Sequence, residues 1–132
     1  MNSILLEVLT PEKVVLKEEV QFVELQGEKG RLGVLPEHTA LIAKLSFGLL
    51  EYKGAKGLET LACGHGVVEI LEDHVLVLVD TAERPSEIDK NRAEEARRRA
   101  EKRLSEKGPE VDFDRAALAL HRAIQRIHFS SD

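Results

Sequence analysis

Arginine side chains recur along the last third of the chain, at spacings that could bring them together. Arg92 and Arg99 lie 3 and 10 residues after Asp89, offsets that return to nearly the same side of an α-helix. A second row, with offsets of 7 and 4, consists of Arg115, Arg122 and Arg126. Guanidinium groups that converge beside a carboxylate suit a polyphosphate, because each can bind two of its oxygens. Salt bridges to the many nearby glutamates are the alternative that the spacing leaves open.

Two helices must carry these rows. Residues 88–105 contain no Gly or Pro and are dominated by Ala, Glu, Arg and Lys, which are strong helix formers. Ser86 is the expected N-cap, with Asp89 closing a capping box, and Lys107-Gly108-Pro109 is the expected stop. A second helix is predicted to start at Asp112 or Asp114 and to end near His128. The short loop between them predicts an antiparallel hairpin. Its two open ends then meet, and this brings together Arg92, Arg99, Arg122 and Arg126, with Glu83 and Asp89 nearby.

The apolar stripes of both helices are narrow and rich in alanine. The predicted stripe is Ala93, Ala96, Ala100 and Leu104 in the first helix, and Phe113, Ala116, Ala117, Leu120, Ala123, Ile124 and Ile127 in the second. Alanine allows close approach but buries little area, so a lone hairpin of this kind is marginal in water. It needs the rest of the chain, a ligand or a partner to hold it, which is a first indication of a switch.

Residues 1–85 have a different pattern, with short apolar runs divided by glycine and proline. The runs predicted as strands are Ile4–Val8, Val20–Leu25, Leu41–Leu45, Leu58–Ala62, Val67–Leu71 and Val75–Val79. Six to ten strands at this spacing predict a sandwich or a flattened barrel. The chain is therefore expected to be α+β, with an N-terminal β-sandwich in residues 1–85 and a C-terminal antiparallel two-helix hairpin in residues 86–132.

Composition excludes several classes of function. A net charge of -5, an aromatic content of 4% and the absence of Trp argue against nucleic-acid binding. Cys63 is the only cysteine, and the histidine spacings predict no metal site. The segment Gly27–Gly33 lacks the Lys-Ser/Thr ending of a phosphate loop and is predicted to be a turn. No nucleophile, base and oxyanion donor assemble, so we predict no catalytic residues. We also expect neither a signal peptide nor direct membrane insertion.

Charge is divided unevenly between the two halves. Residues 1–85 hold eight basic against fourteen acidic side chains, a net of -6, whereas residues 86–132 hold eleven against ten, a net of +1. Five of these bases fall within Arg97–Arg103, opposed there only by Glu101. Such a run is either a solvated helix surface or a surface for an acidic partner.

Several motifs taken together resemble the epsilon subunits of bacterial F-type ATP synthases. They are Val8-Leu9-Thr10-Pro11, the run from Gly30 to His38, Asp80-Thr81-Ala82-Glu83-Arg84, Ile88-Asp89-Lys90-Asn91-Arg92-Ala93, and the run from Asp114 to Arg126. The resemblance covers nearly the whole chain in the same order. It departs from the family at Glu37, where a Gly is usual, and at Gly64-His65-Gly66-Val67, where Ser-Gly-Gly-Phe is usual.

This resemblance implies a ten-stranded sandwich bound to the gamma subunit and the ring of c subunits. The implied function is that of a non-catalytic rotor subunit, which couples proton-driven rotation to ATP synthesis. It would be peripheral, at the cytoplasmic face of the inner membrane. The hairpin would permit ATP hydrolysis when folded down and inhibit it when extended into the alpha/beta catalytic hexamer.

The resemblance also implies three sets of functional residues. Contact with the c ring falls on Arg31, Leu32, Val34, Glu37, His38 and Leu41. Contact with an acidic loop of a beta subunit falls on Arg98, Arg99, Lys102, Arg103, Arg115 and Arg122. In some members the folded-down hairpin binds ATP, and the matching positions are Glu83, Ile88, Asp89, Arg92, Ala93, Arg99, Arg122 and Arg126. No cofactor is expected beyond ATP as a regulatory ligand.

Three rival hypotheses remain at this stage. The hairpin could be a static brace on the gamma subunit, which would leave the ATPase rate independent of residues 86–132. A small β-domain hydrolase would need turnover from the isolated chain. A free-standing nucleotide sensor would have no use for the motif from Gly30 to His38.

Overall fold

The computed structural model describes residues 3–106 and 112–130 of the chain. Two compact units make up the molecule, Met1–Arg84 and Pro85–Asp132. The first consists of strands and the second is helical, so the predicted α+β fold class is confirmed.

Within residues 3–84, the first unit contains ten short strands. They are β1 (Ile4–Leu9), β2 (Val14–Val20), β3 (Val23–Gly27), β4 (Gly30–Val34), β5 (Leu41–Leu45), β6 (Gly48–Gly54), β7 (Gly57–Cys63), β8 (Gly66–Ile70), β9 (His74–Val79) and β10 (Ala82–Glu83). Hydrogen-bonded neighbours follow the order β10-β7-β6-β3-β5-β8-β9-β1-β2, with β4 added to β3. All pairs are antiparallel except β1 with β9, which is parallel. This ten-stranded sandwich agrees with the prediction.

Alternation of apolar side chains creates the sandwich core. In β1 the side chains of Ile4, Leu6 and Val8 are buried while the residues between them are not. The parallel register places Leu6 opposite Val75, which is also fully buried. Burial of an aliphatic side chain contributes about 1.5–3 kcal/mol, so these inward rows are the main source of stability.

One predicted strand is wrong. Instead of a continuous Val20–Leu25 strand, β2 ends at Val20 and β3 begins at Val23. At the bend, the Gln21 amide donates to the Lys53 carbonyl at 2.8 Å. Val20 and Val23 are both buried although three positions apart, which a single strand with period two could not achieve.

The second unit begins with a short 3-10 turn at Pro85–Glu87, followed by α1 (Lys90–Ser105) and α2 (Phe113–Phe129). Asp89 is the N-cap of α1, which corrects the prediction of Ser86, because Ser86 lies inside the 3-10 turn. Asp112 caps α2, one of the two predicted starts. The predicted stop at 107–109 lies outside the described residues. A short connection between Ser105 and Phe113 fits antiparallel packing of the two helices.

Candidate functional site

The first turn of α1 contains the Ile88 to Ala93 motif, and most of its residues have a structural role there. The Asp89 carboxylate accepts a hydrogen bond from the Arg92 amide at 3.1 Å, and the Asp89 carbonyl accepts one from the Ala93 amide at 3.0 Å. Ile88 and Ala93 are buried, at 7% and 5% exposure. The Arg92 side chain, by contrast, is exposed. Three of the four matching residues therefore shape the helix start, and Arg92 extends from it.

Four buried alanines mark the packed side of the hairpin. They are Ala93 and Ala100 in α1 and Ala116 and Ala123 in α2. The predicted stripe of α2 was too wide, because Phe113 and Ile124 are each 46% exposed. Only the narrow alanine line, at intervals of seven residues, is fully buried in each helix.

An arginine directly precedes each of these buried alanines. One residue corresponds to about 100° of helix rotation, so each arginine flanks the packed side. In an antiparallel pair this rotation brings the flanking positions of both helices to the same side. Arg103 and Arg126, three residues after Ala100 and Ala123, also lie on that side. We call this surface the arginine face: Arg92, Arg99, Arg103, Arg115, Arg122 and Arg126.

The arginine face is largely without internal charge compensation. Within residues 3–106 and 112–130, five of its members have no carboxylate oxygen within 4.0 Å, namely Arg92, Arg99, Arg103, Arg115 and Arg122. Arg97 differs, because it contacts Glu94 at 3.0 Å and Glu101 at 3.7 Å within α1. Local salt bridges, the alternative that the sequence left open, therefore account for Arg97 but not for those five. Uncompensated guanidinium groups on one surface favour an anionic ligand or partner.

The two sets of basic residues predicted from the resemblance overlap on this face. All four arginines of the nucleotide set lie on it. The set for the acidic partner is split, because Arg98 and Lys102 lie on the opposite, outward side of α1. Glu83, the member of the nucleotide set that lies outside the hairpin, belongs to β10 in the first unit, where it pairs with Ala62. The sequence signal for the face, an arginine before each packed alanine, is visible only once the packed side is known.

The predicted ring-contact residues lie on β4, on the following loop and at the start of β5. Arg31 pairs with Glu24 at 3.2 Å and donates to the Leu49 carbonyl at 2.6 Å. Val34 is only 2% exposed, because its side chain belongs to the core, and its contact with the ring stays a prediction. Leu32 is half-buried and packs against the same core.

The resemblance implies that the whole region from Leu32 to Leu45 faces the ring, but the six residues named for the contact leave out its most exposed aliphatic side chains. Ile42 is 70% exposed and Leu35 is 64% exposed, against 40% for the predicted Leu41. A groove of about 550 Å³ separates the β3–β4 hairpin from β5, and Leu41 and Ile42 line it. Exposed aliphatic residues beside a groove are typical of an interaction surface. Strand alternation alone could not single them out, because both strand faces carry apolar residues here.

Cys63, the only cysteine of the chain, is buried in the sandwich. Burial, followed by the nearby Asp80 carboxylate, raises the pKa of the Cys63 thiol to about 12, so it stays protonated and unreactive at neutral pH. In the described ranges, no group of three or more His, Cys, Asp or Glu side chains is placed to hold a metal ion. None of the described helices is both long and apolar enough to cross a membrane.

Family comparisons match both units in order. Residues 3–85 match the ATP synthase delta/epsilon chain beta-sandwich domain, and residues 86–131 match the long alpha-helix domain of the same chains. The "ATP synthase epsilon chain" of Desulforamulus reducens is 46% identical over 122 residues, covering 92% of each chain. That of Bacillus licheniformis is 40% identical over 127 residues, covering 96% of this chain and 97% of the relative.

Solved structures support the fold. A chain in the Euglena gracilis mitochondrial ATP synthase, described as OSCP/F1/c-ring, has a TM-score of 0.82 at 20% identity and covers 95% of this chain and 79% of its own. A chain from the Tetrahymena thermophila mitochondrial ATP synthase, described as central stalk/cring, has a TM-score of 0.68 at 13% identity, with 97% and 96% coverage. At these identities the likeness concerns the fold alone.

Proposed function

This chain belongs to the ATP synthase delta/epsilon-chain family, and from that premise we propose that it is the non-catalytic epsilon subunit in the central stalk of an F-type ATP synthase. The observation that carries the proposal is the match of both units, in order, over nearly the whole chain. The subunit couples proton-driven rotation to ATP synthesis. It binds the gamma subunit and the c ring, and is peripheral at the cytoplasmic face of the inner membrane.

The sandwich contacts the c ring through the exposed start of β4, the loop after this strand and the start of β5. Leu35, Leu41 and Ile42 supply apolar area there, and Arg31 is held in place by Glu24 and the Leu49 carbonyl. Ile42→Glu is expected to reduce proton-driven ATP synthesis by the assembled complex, because it places a charge in this contact. Val14→Glu is the matched control, because Val14 is a 61% exposed aliphatic residue on another strand. Equal rates of ATP synthesis for the two variants would show that Ile42 does not take part in the contact.

The hairpin regulates ATP hydrolysis through the arginine face. In the folded-down state this face binds ATP, and in the extended state it binds an acidic surface of the catalytic hexamer. Arg99 and Arg122 belong to both sets, so the two interactions exclude each other. A ligand at a hundredfold excess over its Kd stabilises the bound state by about 2.7 kcal/mol, enough to change the population of a hairpin whose packed residues are alanines.

Calorimetric titration with ATP, with ADP as a control ligand, tests nucleotide binding. We expect saturable one-to-one binding that favours ATP, and Arg99→Ala or Arg126→Ala should weaken it without unfolding the sandwich. Arg98→Ala is the matched control, because Arg98 is exposed on α1 but lies off the arginine face. Unchanged affinity in both face variants would reject this site.

Asp89 requires a separate variant, because its carboxylate caps α1 at the same time. Asn caps helices about as well as Asp, so Asp89→Asn keeps the helix start while removing the charge. A loss of ATP affinity in Asp89→Asn, with unchanged helix content, would show that the Asp89 charge takes part in nucleotide binding. Unchanged affinity would limit Asp89 to the cap.

Measurements on the assembled complex distinguish the static-brace hypothesis from regulation. ATPase rates of the assembled enzyme with and without residues 86–132 should differ if the hairpin inhibits. Identical rates would favour the brace and leave the rotor assignment in place.

A further inference from the structure

Strand β10 is too short to be held by its backbone alone. It consists of Ala82 and Glu83, which pair with Cys63 and Ala62 at one edge of the sheet. Two flanking hydrogen bonds support it on the N-terminal side, from the Gly64 amide to the Thr81 carbonyl at 2.8 Å and from the Asp80 amide to the His65 carbonyl at 2.9 Å. A two-residue edge strand is expected to open readily, because few bonds have to break. Something beyond the ladder must hold its C-terminal side.

A side-chain cluster lies just after β10. The Arg84 guanidinium is 5.7 Å from the centre of the Tyr52 ring and 3.8 Å from a carboxylate oxygen of Glu59. The Tyr52 hydroxyl donates to the same Glu59 oxygen at 2.7 Å. Tyr52 and Glu59 are directly opposite each other on β6 and β7, and Tyr52 is fully buried. Arg84 is therefore fixed to a rigid part of the core by charge and by its contact with an aromatic ring.

We propose that Tyr52, Glu59 and Arg84 form a clamp that closes β10 onto β7, orients Glu83, and fixes the point from which the hairpin leaves the sandwich. Strand alternation supports the orientation. Ala82 packs against the core and Arg84 reaches the core tyrosine, so Glu83 between them points to the other face. Arg84 is also the last residue of the first unit.

The clamp makes Tyr52, Glu59 and Arg84 positioning residues for Glu83, the one predicted nucleotide-binding residue outside the hairpin. This part of the inference rests on the proposed function. The clamp itself does not, so its test must give a result even if the chain binds no ATP.

Amide hydrogen exchange in the full chain tests the clamp directly. In Arg84→Gln and in Glu59→Gln, the protected amides of β10 and of Ala62–Gly64 should exchange about fivefold faster, because the anchor after the strand is lost. Exchange in β1 and β9 should be unchanged. Lys17→Gln is the matched control, since it removes an ion pair of similar length, to Glu7, between β2 and β1. Exchange at β10 that is the same in wild type and in both clamp variants would overturn the proposal.

Tyr52 supplies a second readout, because it is the only tyrosine and the chain has no Trp. Burial and the bond to Glu59 raise the pKa of Tyr52, and the Arg84 charge opposes that rise. In an absorbance titration, Glu59→Gln should therefore shift ionisation to lower pH and Arg84→Gln to higher pH. Wild-type midpoints in both variants would show that the cluster does not form in solution, even if a variant were too unstable for exchange measurements.

Calorimetry with ATP completes the test. If the wild type binds ATP, Arg84→Gln should raise its Kd, and an unchanged Kd would overturn the positioning of Glu83. If the wild type binds no ATP, the nucleotide part of the proposed function fails, and hydrogen exchange and the Tyr52 titration still decide the clamp.

Discussion

Among single residues, Glu37 combines an unusual backbone conformation with a place in the predicted ring contact. Its φ of 69° lies in the left-handed region that glycine adopts readily, and it is the position at which epsilon subunits usually have Gly. The Glu37 amide donates to the Glu72 carbonyl at 2.8 Å, which holds the β4–β5 loop against the β8–β9 turn. The loop therefore keeps its conformation despite the side chain.

We expect Glu37→Gly to be more stable than Glu37→Ala by about 1 kcal/mol, because only Ala retains the Cβ penalty at this φ. Both variants remove the same side chain, so the comparison isolates the backbone, and urea unfolding measures it. Thr39, which has an ordinary φ, should show the opposite order. A Glu37→Gly variant no more stable than Glu37→Ala would mean that the loop does not hold this φ in solution.

A second residue-scale prediction concerns Glu7, whose pKa is lowered by a hydrogen bond to His74 at 2.8 Å, with a smaller effect of Lys17. A carboxylate whose pKa is lowered by folding stabilises the protein above its unfolded pKa, and this contribution disappears as the pH falls through the folded value. The advantage of wild type over His74→Gln should therefore shrink below about pH 4.3, the ordinary glutamate value. Calorimetric melting points between pH 6 and pH 3 measure it. On a Glu7→Gln background, the melting-point difference caused by His74→Gln should not change with pH below 5. A difference that still changed with pH would assign the effect to another group.

At the scale of elements, each helix of the hairpin depends on one aspartate at its start. Asp112 accepts from the Arg115 amide at 3.0 Å, as Asp89 does from Arg92. Asp112→Ala should destabilise α2 by about 1 kcal/mol, and Asp112→Asn should be nearly neutral, because Asn keeps the capping oxygen. Amide exchange along α2 measures both. If Asn were as damaging as Ala, the charge at the helix start, and not the cap bond, would be the source of stability.

Local chemistry accounts for which elements the sequence reveals. Asp112 was predictable because a capping residue directly precedes a helical run. Ser86 and Asp89 are both possible caps near the start of α1, and only the 3-10 turn at Ser86 shows that Asp89 is the cap. Strands β2, β4 and β6 were not singled out, because their runs are interrupted by charged residues or glycines. The arginines of the nucleotide set were found from helical periodicity. The place of Arg103 on the same face was not found, because it depends on which residues of the apolar stripe are packed.

For the whole molecule, the central consequence of the proposed function is that one basic surface would serve two anionic partners. The hairpin unit has nearly neutral charge overall, yet its bases are concentrated on the arginine face, while the first 85 residues carry a net charge of -6. Arg92 and Arg126 belong only to the predicted nucleotide set. Arg103 and Arg115 lie on the same face but belong only to the set for the acidic partner. The two functions can therefore be separated by mutation.

We expect Arg103→Ala with Arg115→Ala to relieve inhibition of ATP hydrolysis in the assembled enzyme while leaving the Kd for ATP within about threefold, since exposed charges that do not contact the ligand contribute little. Arg126→Ala should do the reverse, weakening ATP binding by at least about tenfold, as expected when a charged hydrogen bond to a phosphate is lost. In that variant inhibition should persist at ATP concentrations that release the wild type. ATPase rates and calorimetric titrations on the same variants measure both effects. If both variants lost ATP affinity equally, the face would be one undivided site, and ATP would displace the acidic partner by occupying all of it.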